Sequence, residues 1–144
     1  MSAMRQIHWG RIVIAGFLAE ATVFTLFFSL LLAATLAGVP ELASPMSTLD
    51  YIDALVSSFA SIFFFTLWVG RRIESGFVLH GVLVGMVAML LFLCLIFGFQ
   101  GSVEQPPLYW VAHGLKLLGG LAGGLVAERR RSRAVGVEAA QVRA

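Results

Sequence analysis

Charge is scarce in this chain, cysteine is nearly missing, and proline is confined to two short stretches. Of its 144 residues only 12% are Asp, Glu, Lys or Arg, about half the usual share of a water-soluble domain. The one cysteine, Cys94, has no disulfide partner within the chain and leaves no cysteine-rich zinc site. All prolines, Pro40, Pro45, Pro106 and Pro107, fall in two joints, so the segments between them lack the residue that most often breaks a helix. Lysine occurs once, at Lys116. What is abundant is hydrocarbon: 59% of residues are hydrophobic and the mean hydropathy is +0.91, which excludes disorder and an ordinary soluble globule.

Four apolar runs account for most of the chain. Ile12 to Gly38 contains one ionisable residue, Glu20; Ala54 to Gly70 contains none; Phe77 to Phe99 has only His80; Pro107 to Ala127 has His113 and Lys116. A helix rises about 1.5 Å per residue and the hydrocarbon layer is about 30 Å thick, so roughly 20 residues cross it. The second run reaches that length once Tyr51 and Asp53 extend it at the interface. Backbone amides at that depth have no water to bond, so the runs must be helices. The first is too long for a secretory signal core and carries Glu20, so a retained helix is expected.

The expected architecture is therefore all-α. A four-span membrane domain occupies residues 1–127, with spans at about 12–37, 51–70, 77–99 and 107–127, and a basic tail follows over 128–144. Gly38-Val39-Pro40 stops the first helix, Ser47 to Asp50 has capping-box spacing for the second, and Pro107 suits a first helical turn. Between spans two and three only a tight turn over residues 71–76 remains.

Charge placement predicts orientation. Arg5, Arg11, Arg71, Arg72, Arg129, Arg130, Arg131, Arg133 and Arg143 all fall on one side if the spans alternate. The opposite connections carry Glu41, Asp50, Asp53 and Glu104 instead. The positive-inside rule then places both termini and the central turn in the cytoplasm, the membrane being the plasma membrane of a bacterium. Tyr109 and Trp110 at one boundary, and Trp9 and Trp68 at the other, fall where aromatic belts are expected.

An internal repeat is visible at the ends of spans two and four. Leu67 to Arg72 matches Leu125 to Arg130, and Tyr51 falls in register with Tyr109, a constant offset of 58. The two hairpins read as a parallel duplication. Close helix approach in lipid relies on small residues, and Gly81 with Gly85, and Gly119, Gly120, Gly123 and Gly124, supply such rows on spans three and four. On span two Ala54, Ser57, Ser58 and Ser61 form a small face, with Phe63, Phe64 and Phe65 as bulk elsewhere. Packing within the bundle explains one glycine row; two adjacent rows on span four favour a dimer or subunit interface as well.

Intramembrane charges are expensive and need a reason. Glu20 lies about 13 Å and Lys116 about 18 Å from the basic edge, a difference that a lysine stem spans. Lys116 shares a stripe with His113, Gly120 and Gly124, and Glu20 one with Gly16 and Phe24. A buried Glu20–Lys116 pair orienting the helices is the structural reading. A proton or cation site using Glu20, Lys116 and His113 is the functional one. His80, roughly 6 Å in, reads as an interfacial hydrogen-bonding residue. No His pair has metal-ligand or haem spacing, so no cofactor is expected.

Catalytic signatures are lacking: no Gly-x-Ser-x-Gly elbow, no Walker loop, no His-Glu-x-x-His and no paired carboxylates on one intramembrane face. An enzyme is not expected. The cluster Arg129, Arg130, Arg131 and Arg133 sets topology and attracts anionic lipid headgroups by about 1 kcal/mol per charge. Without aromatic or base-reading neighbours it does not read as a nucleic-acid site.

Around the central turn, Gly70-Arg71-Arg72 followed by Gly76-Phe77-Val78-Leu79-His80-Gly81-Val82-Leu83-Val84-Gly85 resembles the small four-span bacterial membrane proteins of the YrzE type. That resemblance implies a bacterial plasma membrane and brings no known activity with it. Leu18-Ala19-Glu20, with Thr22 and Thr25, is similar to the first span of the small multidrug resistance transporters. There it implies a glutamate exchanging protons for cationic solutes. The leading expectation is a non-enzymatic membrane protein acting through helix association, with itself or as an accessory subunit of a membrane complex. A proton-coupled transporter of small solutes or cations, carried by Glu20, is the alternative.

Overall fold

A computed structural model describes residues 7–39, 48–100 and 107–141, with side chains throughout except at 48–50, 99–100, 109 and 137–140. Four helices follow in order: α1 Trp9–Leu36, α2 Thr48–Gly70, α3 Phe77–Gln100 and α4 Pro107–Gln141. No strand occurs among the described residues. All four helices are long and apolar enough to cross a membrane. Pro40, Pro45, Glu41, Glu104, Arg5, Arg143 and the Ser47 cap lie outside the described residues, as do the side chains of Asp50 and Tyr109.

Two boundaries differ from the hydropathy reading. α1 begins at Trp9 rather than Ile12, and α4 does not end at Ala127 but continues through the arginines to Gln141. Hydropathy stops where the lipid-soluble residues stop; helix propensity does not, and Ala, Glu and Arg after Ala127 are good helix formers. The part beyond Ala127 rises about 21 Å.

The turns are built from backbone rules. At the end of α1 the Val39 N–H donates to the Ala34 carbonyl at 3.1 Å and the Gly38 N–H to that of Thr35 at 3.2 Å, with Gly38 at φ +71. This is a Schellman closure, which places glycine where a Cβ would be strained. The 71–76 connection is a tight turn that ends on Gly76, also at φ +71.

The helices do not close into a square. α2 and α3 touch one another, and α1 and α4 each lie in a groove between them on opposite sides. Among the described residues the backbones of α1 and α4 do not approach each other. α4 packs tightest, through its glycines. A Cβ on Gly119 would lie 2.6 Å from the Phe59 carbonyl oxygen of α2, and one on Gly123 2.8 Å from that of Phe63. On the α3 side, a Cβ at Gly124 would lie 2.7 Å from the Val78 Cα, one at Gly85 2.8 Å from the Lys116 carbonyl oxygen, and Gly81 and Gly120 abut carbonyl to Cα. Both rows of span four are therefore occupied within the chain, one by each neighbour, and neither is spare for a partner.

The interior divides by depth. Toward the arginine end the core is mainly apolar, with Ile12, Ala15 and Ala19 of α1, Ile62 and Val69 of α2, Phe77, Val84 and Ala88 of α3, and Ala127 of α4, and it also buries Thr66 and His80. Toward the other end the buried side chains are largely polar: Asp53, Ser57, Ser58, Glu20, His113 and Lys116. Serine hydroxyls are satisfied locally, Ser57 donating to the Asp53 carbonyl and Ser61 to that of Ser58.

A buried ion pair as the candidate functional site

Glu20 sits on the flank of α1 that carries Ala15, Gly16 and Ala19, small residues that let this helix approach α3. A Cβ on Gly16 would lie 2.7 Å from the Val87 Cγ1. Lys116 sits on the α4 face that carries the glycines. Their side chains meet across the bundle: Lys116 Nζ donates to Glu20 Oε2 at 2.7 Å and to Oε1 at 2.9 Å. With exposures of 3% for Glu20 and 1% for Lys116, the contact is direct and buried. Lys116 is among the largest fully buried side chains of the chain. Its ammonium also stands 4.9 Å from the centroid of the Phe92 ring, a cation–π contact that adds to the pairing.

His113, one helical turn before Lys116, lies against the same ring. Its centroid is 4.1 Å from that of Phe92 and 6.2 Å from that of Trp110, edge to face. Both of its ring nitrogens are buried without a hydrogen-bond partner among the described residues. The structure thus brings together the three intramembrane residues Glu20, Lys116 and His113. It joins the first two by contact and leaves the third beside them through Phe92.

At the arginine end a second polar contact has no counterpart in the sequence pattern. His80 is buried rather than open to the interface. Its Nδ1 donates to the Gly76 carbonyl at 2.9 Å, and its Nε2 accepts the backbone N–H of His8 at 3.3 Å. The ring is covered by His8 at the start of α1, whose own ring centroid lies 5.8 Å away. Arg11 donates to the Arg72 carbonyl, a second tie between α1 and the central turn. These partners lie far apart in sequence, and no local motif announces them. The sequence signal was limited to a histidine near a helix start. Trp9, Trp68 and Trp110 are exposed on the outer surface of the bundle.

Among the described residues no group of three or more His, Cys, Asp or Glu side chains could hold a metal ion. Cys94 is free and exposed. Gly81, Gly85, Gly119, Gly120, Gly123 and Gly124 line the helix contacts around and below Lys116, with Gly85 against its carbonyl, whereas Arg129, Arg130, Arg131 and Arg133 lie away from the ion pair, exposed on the extension of α4. No family model, curated protein or solved structure matches this chain.

Chemically, a carboxylate engaged through both oxygens by one ammonium is already charge-compensated and offers no net negative charge to a second cation. The pair neutralises two charges that neither lipid nor the apolar half of the core could tolerate alone. It also links α1 to α4, two helices whose backbones stay apart.

Proposed function

We propose that this is a non-enzymatic integral protein of a bacterial plasma membrane, with both termini cytoplasmic, that works by associating with itself or with another membrane protein. The surface it offers is α1. The observation that carries this reading is the state of α1 beyond Glu20: from Ala21 to Leu36 only Ala34 is buried. That stretch bears a row of hydroxyls, Thr22, Thr25 and Ser29, each turned back onto the carbonyl four residues earlier at 2.7 to 2.8 Å. Without a hydrophobic driving force between helices in lipid, rows of small and hydroxyl side chains are what a second helix packs on. The glycine rows of span four are already used inside the chain, so the association surface moves from α4 to α1. The ion pair keeps α1 fixed to the bundle while its far half stays available.

The test is size in detergent. Replacing Thr22, Thr25 and Ser29 by Leu together reduces the particle by whole protomers in light scattering after size exclusion; an unchanged mass sinks the reading. The parallel duplication belongs to the same proposal. It is supported by the packing of α2 on α4, where Phe59 meets Gly119, Phe63 meets Gly123 and Gly70 meets Ala127. Each pairing lies within two residues of the offset that relates Tyr51 to Tyr109.

One observation favours the second reading, a proton-coupled transporter. The polar half of the interior leads from Asp53 to the ion pair, and His113 has two unpartnered nitrogens beside it among the described residues. An intramembrane ionisable cluster of this kind is a functional site by default expectation. In proteoliposomes, loss of pH-driven uptake in Glu20→Gln supports it, and inert wild-type protein across a broad set of cationic solutes rejects it.

A further inference from the structure

The close packing of α2 on α4 has an effect at the arginine end, where one of the two helices stops and the other goes on. A Cβ on Gly70, the last residue of α2, would lie 2.6 Å from the Ala127 Cβ of α4. α2 then turns away through Arg71 and Arg72, both exposed, while α4 continues. Arg130 falls on the row of Gly119 and Gly123, which faces α2, and Arg131 on the row of Gly120 and Gly124, which faces α3. Both stand about 5 Å beyond Ala127, over the place that α2 and α3 vacate. Arg129 and Arg133 sit off both rows. Arg11, bound to the Arg72 carbonyl, closes the α1 side.

None of the Arg71, Arg72, Arg130 and Arg131 side chains has an ion-pair or hydrogen-bond partner among the described residues, although Glu74 and Glu128 are close in sequence. Two unneutralised guanidinium pairs from different elements thus stand at one level of the bundle, beside the notch left where α2 ends against α4. We propose that this notch binds phosphate groups, and that its ligand is the headgroup of an anionic phospholipid, best of all one with two phosphodiesters, so that each arginine pair takes one. A guanidinium fork fits phosphate oxygens two at a time, which a diffuse positive surface does not do. The level of the notch selects lipid over a soluble phosphate. Exposed Trp68 and Trp9, and the last buried apolar residue of α4, Ala127, mark the edge of the apolar zone just beneath it. The inference rests on the chain spanning a membrane, but on neither association nor transport.

Native mass spectrometry of the full chain in detergent tests it, with diphosphatidylglycerol, phosphatidylglycerol, phosphatidylcholine and inorganic phosphate as probes. Diphosphatidylglycerol is retained over phosphatidylcholine. Arg71→Gln with Arg72→Gln, or Arg130→Gln with Arg131→Gln, each weakens that retention by roughly thirtyfold, as two lost charges at about 1 kcal/mol each require. Arg129→Gln with Arg133→Gln weakens it by less than about threefold, because those side chains lie off the notch. Equal loss from the Arg129 and Arg133 change overturns the notch in favour of general attraction to total charge. Displacement of the lipid by inorganic phosphate at millimolar concentration overturns the lipid assignment. Unaltered helical circular dichroism in every variant separates lost binding from lost folding, and Arg130→Lys with Arg131→Lys, which keeps charge but loses the fork, retains only part of the affinity.

Discussion

Lys116 and Glu20 hold each other across a diagonal that no backbone contact bridges, so each side chain is an unpaired charge without the other. Removing one partner of a buried pair costs about 3–5 kcal/mol, whereas replacing both by apolar side chains of similar size is often neutral or favourable. Glu20→Gln and Lys116→Met are accordingly expected to lower the midpoint of thermal unfolding in detergent strongly. Glu20→Leu combined with Lys116→Met restores most of it. Recovery in the double variant assigns the pair to architecture; a double variant that is stable but has lost an uptake activity assigns it to transport. His113 gives the complementary measurement. Its ring is held by Phe92 and Trp110 and not by hydrogen bonds among the described residues, so His113→Phe keeps stability to within about 1 kcal/mol of wild type. The sequence made the pair legible because both residues are isolated charges at similar depth. The partners of His80 were not legible, since His8 and Arg11 belong to a segment whose return over the central turn depends on tertiary packing.

At the level of the helices, the glycines sort into two kinds that spacing alone does not distinguish. A methyl group added at Gly114 or Gly136 would meet nothing within 4 Å, while Gly81, Gly85, Gly119, Gly120, Gly123 and Gly124 face carbonyls or Cα atoms of another helix. Alanine exceeds glycine in helix propensity by up to about 1 kcal/mol. Gly114→Ala and Gly136→Ala are therefore expected to be neutral or to raise the unfolding midpoint. Gly120→Ala forces α3 and α4 apart and lowers it, and Gly120→Leu abolishes the folded monomer rather than merely an oligomer. Four apolar runs and their glycine joints could be read from the sequence because span length and turn chemistry are local. The second glycine row on span four pointed to an external partner only because the row's neighbour, α2, is remote in sequence. The extension of α4 escaped for a different reason: hydropathy reports the solvent, not the helix.

For the molecule as a whole, the arginines and the polar half of the interior lie at opposite ends, which ties orientation to function. If both termini and the central turn are cytoplasmic, Glu74→Cys and Ser132→Cys in a Cys94→Ala background label only after the membrane is permeabilised from outside. Labelling of either in intact cells reverses the orientation and puts the arginine notch on the other leaflet. The simplest four-helix bundle is a ring in which each helix touches the next. The observed arrangement instead separates first from last, because the glycine faces of α4 are consumed by α2 and α3 and leave α1 a lysine to hold.

The run of α4 from its buried glycines to Gln141 is unbroken and makes it a mast. A soluble domain fused in continuous helical phase to that mast would turn with the bundle instead of tumbling beside it, giving so small a membrane protein the mass and the alignment mark that single-particle imaging requires.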